Sequence, residues 1–238
     1  MQSLGNQFHI HLLGDHAILI KLSKGLNGGI DRDLLALAAF IKKQKIQGIK
    51  DIILAYDNLT LVYDILDFDS NPYLYVNQLV ANFIAEASNH NAPNSASRLI
   101  EVPVCYDPSL GIDLEAAAKI ANCNIEALIQ EHTAHIYTVY CLGFLPGFAY
   151  MGDVPKKIQL PRHPQPRATV VAGSVGIAGK QTGIYPTDSP GGWQIIGRTP
   201  LKIFDTIKLS LFKAGDRVKF NPIDLALFHH LNNQEDVH

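Results

Sequence analysis

The sequence predicts an α+β protein in two parts: a small N-terminal α+β domain of order ββαββα, then a domain of short β-strands. Three observations predict this. Period-2 and helix-spaced apolar residues fill the N-terminal part, and the polar segment NAPNSAS interrupts the chain at 91–97. Ten of the 18 glycines and eight of the 13 prolines lie between Gly143 and Pro200. So much Gly and Pro disfavours long helices and favours a β-barrel or sandwich with tight turns. We therefore expect domains at 1–92 and 98–232.

The spacing of apolar residues predicts the strands and helices of the N-terminal part. FHIHLL (8–13) alternates as a half-buried strand does, and HAILIKL (16–22) follows as its hairpin partner. A helix comes next, and then two strand-like runs, KDIILAY (50–56) and LTLVYDI (59–65), joined by a turn at Asp57-Asn58. Pro72 opens a second helix, since proline suits the first helical position. The apolar faces of the two helices are predicted at Leu34, Leu37, Ala38 and Ile41, and at Val76, Leu79, Val80, Phe83 and Ile84.

The second part begins with the strand-like run RLIEVPVCY (98–106). Asp113 is interpreted as the N-cap of a short alanine-rich helix. A further helical segment, NIEALIQEH (124–132), precedes HIYTVYCLGF (135–144), which returns to strand character. Cys105 and Cys141 fall in these apolar strands, which predicts that both are buried and unreactive.

Composition excludes several classes of function. The net charge of −2 gives no general attraction to nucleic acid or to an anionic membrane, and no run of eighteen apolar residues exists that could span a membrane. Three widely spaced cysteines indicate a reducing compartment, so we expect a cytoplasmic protein. No metal site is expected, because the pair His132 and His135 lacks a third ligand.

Charge is concentrated in the glycine-rich block. Between Val154 and Phe204 there is one acidic residue, Asp188, and there are seven basic ones, Lys156, Lys157, Arg162, Arg167, Lys180, Arg198 and Lys202. Arginines on rigid loops suit bidentate binding of a carboxylate or phosphate, whereas lysines such as Lys156 are interpreted as solvated. The glycines at 173, 176, 179 and 183 form either a phosphate loop or β-turns, and the absence of GxxxxGK[ST] favours turns.

Aromatic residues accompany the basic loops and could wall a small apolar pocket: Phe144, Phe148, Tyr150, Tyr185 and the single tryptophan, Trp193. Phe144 and Trp193 are equally explained as barrel core, which we favour for these two. No conventional catalytic set is present, so the catalytic residues stay unknown. Asp188 is either a general base or a residue that shapes the turn TDSPGG.

Four segments together resemble one family: GFLPGFAYMG (143–152), PRHPQPR (161–167), AGSVGIAGKQTGIYP (172–186) and SPGGWQIIGRTPL (189–201). The combination is similar to the KipI family, also described as allophanate hydrolase subunit 1 or the 5-oxoprolinase B subunit. The resemblance implies that the second domain is a cyclophilin-like β-barrel. It further implies an enzyme subunit, inactive alone, that acts with a KipA-like C subunit and an A subunit. That complex opens the lactam of 5-oxo-L-proline to L-glutamate and uses ATP, whose binding subunit is not identified.

Two alternatives stay open. One is a urea-carboxylase-type carboxyltransferase component, for which biotin would come from another chain, and the other is an inhibitor of a sensor histidine kinase. For the enzyme subunit, a small-molecule substrate should bind where the basic and aromatic loops meet. We expect five residues to bind it, Arg162, Arg167, Gln181, Tyr185 and Arg198, and four to form the pocket wall, Phe144, Pro146, Phe148 and Trp193.

Overall fold

The computed structural model describes residues 8–22, 32–89 and 97–235. The chain divides into two compact units, Met1–Ala96 and Ser97–His238. Each unit has its own cluster of buried apolar side chains. The predicted break NAPNSAS lies outside the described residues, except for its last position.

The N-terminal unit is a four-stranded antiparallel sheet with two helices. Its elements are β1 (Phe8–Leu12), β2 (Ala17–Leu22), α1 (Arg32–Gln44), β3 (Ile49–Ala55), β4 (Asn58–Tyr63) and α2 (Pro72–Asn89), with a 3-10 turn at Ile65–Asp67. The sheet order is β1-β2-β4-β3. The predicted order ββαββα is therefore confirmed, and α2 begins at the predicted Pro72.

The pattern of buried side chains explains why the N-terminal unit adopts this fold. Leu59 and Leu61 on β4 are fully buried at alternate positions, as the period of 2 requires. The predicted helix faces also point inward, since Leu34, Leu37 and Ile41 are at most 1% exposed. Full burial of one such side chain contributes about 1.5–3 kcal/mol to folding.

One turn differs from its prediction. Asn58 pairs with Ala55 as the first residue of β4, so the two-residue turn is Tyr56-Asp57 and not Asp57-Asn58. The register that buries Leu59 and Leu61 fixes this, because a shift by one residue would turn both side chains outward.

The second unit is built on a closed seven-stranded barrel of order β10-β7-β6-β15-β5-β12-β9. Its strands are β5 (Leu99–Cys105), β6 (Ile136–Leu142), β7 (Ala149–Gly152), β9 (Ser174–Ala178), β10 (Gln181–Ile184), β12 (Gln194–Arg198) and β15 (Arg217–Ile223). Three helices, α3 (Leu114–Ile120), α4 (Ile125–Ala134) and α5 (Leu225–Glu235), complete the unit together with a 3-10 turn at Lys156–Ile158. The α+β class with a β-barrel is thus confirmed.

The glycine-rich block supplies only part of the barrel. Four barrel strands come from it, while β8 (Arg167–Val170) pairs with β11 (Ser189–Gly191) in a separate two-stranded sheet. A second small sheet joins β13 (Phe204–Asp205) to β14 (Leu209–Ser210). The turn prediction holds for Gly173 and for Gly179, which lies in the turn of the hairpin β9–β10 at φ +57°. Gly176 and Gly183 are instead strand residues that pair across this hairpin.

His132 lies on α4 and is fully buried. Its Nδ1 lies 2.8 Å from the Tyr106 hydroxyl and its Nε2 lies 2.9 Å from Thr182 Oγ1, so both ring nitrogens are engaged. Across the described ranges, no group of three or more His, Cys, Asp or Glu side chains is arranged to hold a metal. Cys105 and Cys141 are buried strand residues, as predicted. No helix in the described part of the chain is long and apolar enough to cross a membrane.

Candidate functional site

A cavity of about 270 Å³ opens in the barrel unit where three loop segments meet. The segments are the loop before β7, the loop that precedes β8, and the stretch from Tyr185 to the start of β12. The cavity is lined by Phe144, Phe148, Tyr150, Arg162, His163, Pro166, Tyr185, Pro190, Gly191, Gly192 and Trp193. The Gly- and Pro-rich motifs therefore converge, because the barrel holds the ends of their flanking strands together.

Phe148 and three further aromatic rings form one wall of the cavity. The ring centroid of Phe148 lies 4.9 Å from that of Tyr150, 5.4 Å from Tyr185 and 5.4 Å from Trp193, all near edge-to-face. Such pairs contribute about 0.5–1.5 kcal/mol each beyond burial, so the wall is rigid. Close packing requires glycine at 191, where a Cβ would collide with the Tyr185 ring.

Phe144 stands at the rim of the same wall. Its side chain is 59% exposed, although its ring still contacts Phe148 at a centroid distance of 5.5 Å. The core interpretation is therefore wrong for Phe144, whereas Trp193, at 5% exposure, is both core and cavity wall. Phe144 also has φ +69°, a left-handed backbone conformation that non-glycine residues rarely adopt.

A positive charge lies against this apolar wall. Arg162 lines the cavity on an exposed loop. Burial raises the pKa of both Tyr150 and Tyr185, and the charge of Arg162 partly opposes this rise at each phenol. The two phenols are therefore neutral at pH 7 and can donate hydrogen bonds. The cavity combines apolar faces, neutral donors and a guanidinium, which suits a small anion with an apolar body.

A buried carboxylate lies behind the cavity. Asp113, 5% exposed, accepts a hydrogen bond from the Ile195 backbone N–H at 2.7 Å and one from Arg167 Nη2. Its Oδ2 also lies 3.3 Å from His163 Nε2, without the alignment of a hydrogen bond. Asp113 stands at the N-cap position of α3, yet its side chain makes no capping bond. Asp113 thus stands at the predicted N-cap position but does not cap the helix with its side chain, because its carboxylate binds Arg167 instead.

The structure gathers some of the predicted site residues and separates others. Arg162, Tyr185, Phe144, Phe148 and Trp193 line the cavity together. Arg167 lies beside it, bound to Asp113. Gln181 begins β10 opposite Gly152, and the exposed Pro146 is not among the lining residues.

Arg198 is also absent from the cavity lining. Its Nε donates to the Ala172 carbonyl at 2.8 Å, and its guanidinium carbon lies 6.0 Å from the ring centroid of Phe228. Asp188 accepts a hydrogen bond from the Ala172 backbone at 2.8 Å, which agrees with a turn-shaping role. The expected convergence of three arginines on one concave surface is therefore not observed at Arg198.

The sequence did not identify His163 as a cavity residue, and it did not show that Asp113 binds Arg167 and the Ile195 backbone. His163 stands in the motif PRHPQPR, between two arginines that were singled out, and this was the available signal. Asp113 gave no signal, because its partner Arg167 is 54 positions away and Ile195 is 82 positions away.

Comparison with known proteins matches most of the chain to a single family. Residues 8–211 match the family model "Carboxyltransferase domain, subdomain C and D". The chain is 40% identical over 232 residues to the 5-oxoprolinase B subunit of Bacillus subtilis (strain 168), covering 94% of this chain and 96% of that protein.

Two solved structures share the fold. The crystal structure of TTHA0988 is 32% identical with a TM-score of 0.73 over 88% of this chain, which spans only 40% of that longer chain. Urea amidolyase from K. lactis is 18% identical with a TM-score of 0.79 over 99% of this chain and 16% of that one, a likeness of fold alone.

Proposed function

The chain belongs to the carboxyltransferase subdomain C and D family and, within it, to the 5-oxoprolinase B subunits, and from this premise we propose its function. We propose that it is the B subunit of an ATP-dependent 5-oxoprolinase, which opens 5-oxo-L-proline to L-glutamate together with the A and C subunits. The likeness to the Bacillus subtilis protein supports this over nearly the full length of both chains.

The observation that carries the proposal is the aromatic cavity with an arginine in its lining. 5-Oxoproline is a small anion: a five-membered lactam ring whose methylene groups are apolar and whose carboxylate is charged. Arg162 can hold that carboxylate bidentately, and the rings of Phe148 and Trp193 offer apolar faces to the lactam. In this proposal the chain binds and orients the substrate.

ATP is assigned to a different protein of the complex. In the described part of the barrel unit, the glycine series runs through the hairpin β9–β10, and the next element is the strand β11 rather than a helix whose N-terminus could hold phosphates. The described residues that line the cavity also include no recognisable pair of nucleophile and base. Without partners the chain should therefore bind substrate but neither hydrolyse ATP nor release glutamate.

Reconstitution tests this function. The purified chain, its A and C partner subunits, and the mixture of all three are incubated with 5-oxo-L-proline and ATP, and glutamate is measured. We expect glutamate only from the complete mixture with ATP. Substantial turnover by the single chain, or none by an assembled three-subunit complex, would contradict the proposal. Adding urea, bicarbonate and a biotin carboxylase to the same chain tests the carboxyltransferase alternative, which the match to the carboxyltransferase family model and the fold likeness to urea amidolyase support.

A further inference from the structure

Asp113 contacts two chain segments that both line the cavity. One segment, 161–167, carries the cavity residues Arg162, His163 and Pro166, and the other, 191–195, carries Gly191, Gly192 and Trp193. The Asp113 carboxylate binds Arg167 and lies 3.3 Å from His163 Nε2 on the first segment, and it accepts a hydrogen bond from the Ile195 N–H on the second. A single buried anion therefore joins both segments from behind.

The two segments also contact each other directly. The His163 backbone N–H donates to the Gly192 carbonyl at 2.7 Å, and Gln194 Nε2 donates to the Pro161 carbonyl at 3.0 Å. These bonds set the spacing of the segments, but neither involves a charge. The link through Asp113 is charged, and charge-assisted hydrogen bonds are roughly twice as strong as neutral ones.

The neighbourhood of Asp113 is not arranged for stability alone. Among the residues that the structure describes, three buried side-chain atoms lack a hydrogen-bond partner: His163 Nε2, Arg167 Nη1 and Gln194 Oε1. All three belong to the two segments that Asp113 joins. Burying polar groups costs desolvation energy, which an apolar core at this place would avoid. A polar cluster with this cost, directly behind a ligand-sized cavity, indicates a role in the site.

We propose that Asp113 is a positioning residue of the cavity. Its negative charge holds Arg167 in place, and through Arg167 it fixes the loop of segment 161–167 so that Arg162 faces the bound anion. Asp113 itself does not line the cavity and does not touch the ligand. The identity of that ligand, 5-oxo-L-proline, rests on the proposed function, whereas the fastening of the loop by Asp113 does not.

The test uses two variants of the pair and a matched control. Asp113→Asn keeps the shape and the acceptor for Ile195 but removes the charge, and Arg167→Gln breaks the same pair from the other side. The control is Asp216→Asn. Asp216 is also 5% exposed, pairs with Arg98 and accepts a backbone N–H, from Lys213 at 2.7 Å, but it lies away from the cavity. All variants are measured for thermal unfolding, and for KM and kcat towards 5-oxo-L-proline in the assembled complex.

We expect Asp113→Asn and Arg167→Gln each to raise KM about tenfold or more, with a smaller change in kcat, and the double variant to be no worse than either. Asp216→Asn should lower the unfolding temperature by a similar amount and leave KM within about twofold. Equal KM values for Asp113→Asn and Asp216→Asn, or additive effects in the double variant, would overturn the positioning role.

A second readout needs no substrate and so separates this inference from the proposed function. Trp193 is the single tryptophan of the chain and lies on the cavity wall, next to the contact between Gly192 and His163. Release of segment 161–167 should expose its ring to acrylamide. We expect stronger quenching in Asp113→Asn than in the parent or Asp216→Asn. If the complex shows no 5-oxoproline turnover but this difference appears, the proposed function fails and the positioning role stands. Unchanged quenching in Asp113→Asn refutes the positioning role.

Discussion

Acidification should weaken the barrel unit through one buried histidine. Thr182 Oγ1 donates its proton to the Gly176 carbonyl at 3.0 Å, so it can only accept from His132 Nε2, which must carry the proton. His132 Nδ1 is then the acceptor for the Tyr106 hydroxyl, whose pKa burial raises well above its usual value. The hydrogen bonds therefore fit a neutral imidazole, and a second proton would have no acceptor without a rearrangement.

The magnitude follows from the pKa of His132. Burial, and to a lesser extent the nearby His135, lowers this pKa from 6.5 to about 3. Because the folded pKa is the lower one, the unfolded chain takes up the proton first. The stabilisation is fully present above about pH 6.5 and is lost as the pH falls towards 3. The slope in that window is about 1.4 kcal/mol per pH unit, so about 2 kcal/mol is lost between pH 6.5 and pH 5.

Urea unfolding followed by Trp193 fluorescence measures this effect, since Trp193 and His132 share the barrel unit. His132→Gln keeps a donor and an acceptor but does not titrate. At about pH 7.5 we expect it to be less stable than the parent by about 2–4 kcal/mol, since it loses buried hydrogen bonds and packing. That difference should shrink by about 2 kcal/mol at pH 5. The same substitution at the exposed His229 is the matched control. Parallel pH slopes for the parent and His132→Gln would refute a neutral, buried His132.

Two further variants test the cavity. Arg162→Lys keeps the charge but loses the bidentate fork, so the assembled enzyme should lose about tenfold in kcat/KM, while the same change at the exposed strand residue Arg217 should alter it less than twofold. An Arg162→Lys enzyme that matches the parent would remove the carboxylate-binding role. Gly191→Ala should displace the Tyr185 ring and lower both stability and substrate affinity, whereas Gly143→Ala, whose Cβ would meet nothing closer than 4.0 Å, should do neither. Normal substrate affinity in Gly191→Ala would show that the aromatic wall does not shape the site.

The sequence determined the N-terminal unit almost completely. Its order ββαββα, the start of α2 at Pro72 and the buried faces of both helices were predicted, because burial there follows short periods that are visible within ten residues. The strand predicted to run to Ile65 ends at Tyr63 and is followed by a 3-10 turn at Ile65–Asp67, and the hairpin turn at Tyr56-Asp57 was displaced by one residue. In that case the cross-strand register, which buries Leu59 and Leu61, prevailed over the turn preference of Asp57-Asn58.

In the barrel unit the sequence alone predicted the kinds of local structure, but not how the strands and side chains are arranged in space. It predicted short strands, tight turns and a meeting of aromatic and basic loops, because Gly and Pro limit the backbone locally. Closure of the barrel was decided by pairing between distant strands, such as the parallel alignment of β15 with β5.

The direction of each arginine was likewise decided only in the fold. Three arginines beside Gly or Pro look equivalent in the sequence, yet Arg162 lines the cavity, Arg167 is held by Asp113, and Arg198 lies against Phe228. A guanidinium binds or packs against the carboxylate, carbonyl or ring that the fold places closest to it. Those partners come from the start of α3, the loop before β9 and α5, whose places around the barrel no local pattern records.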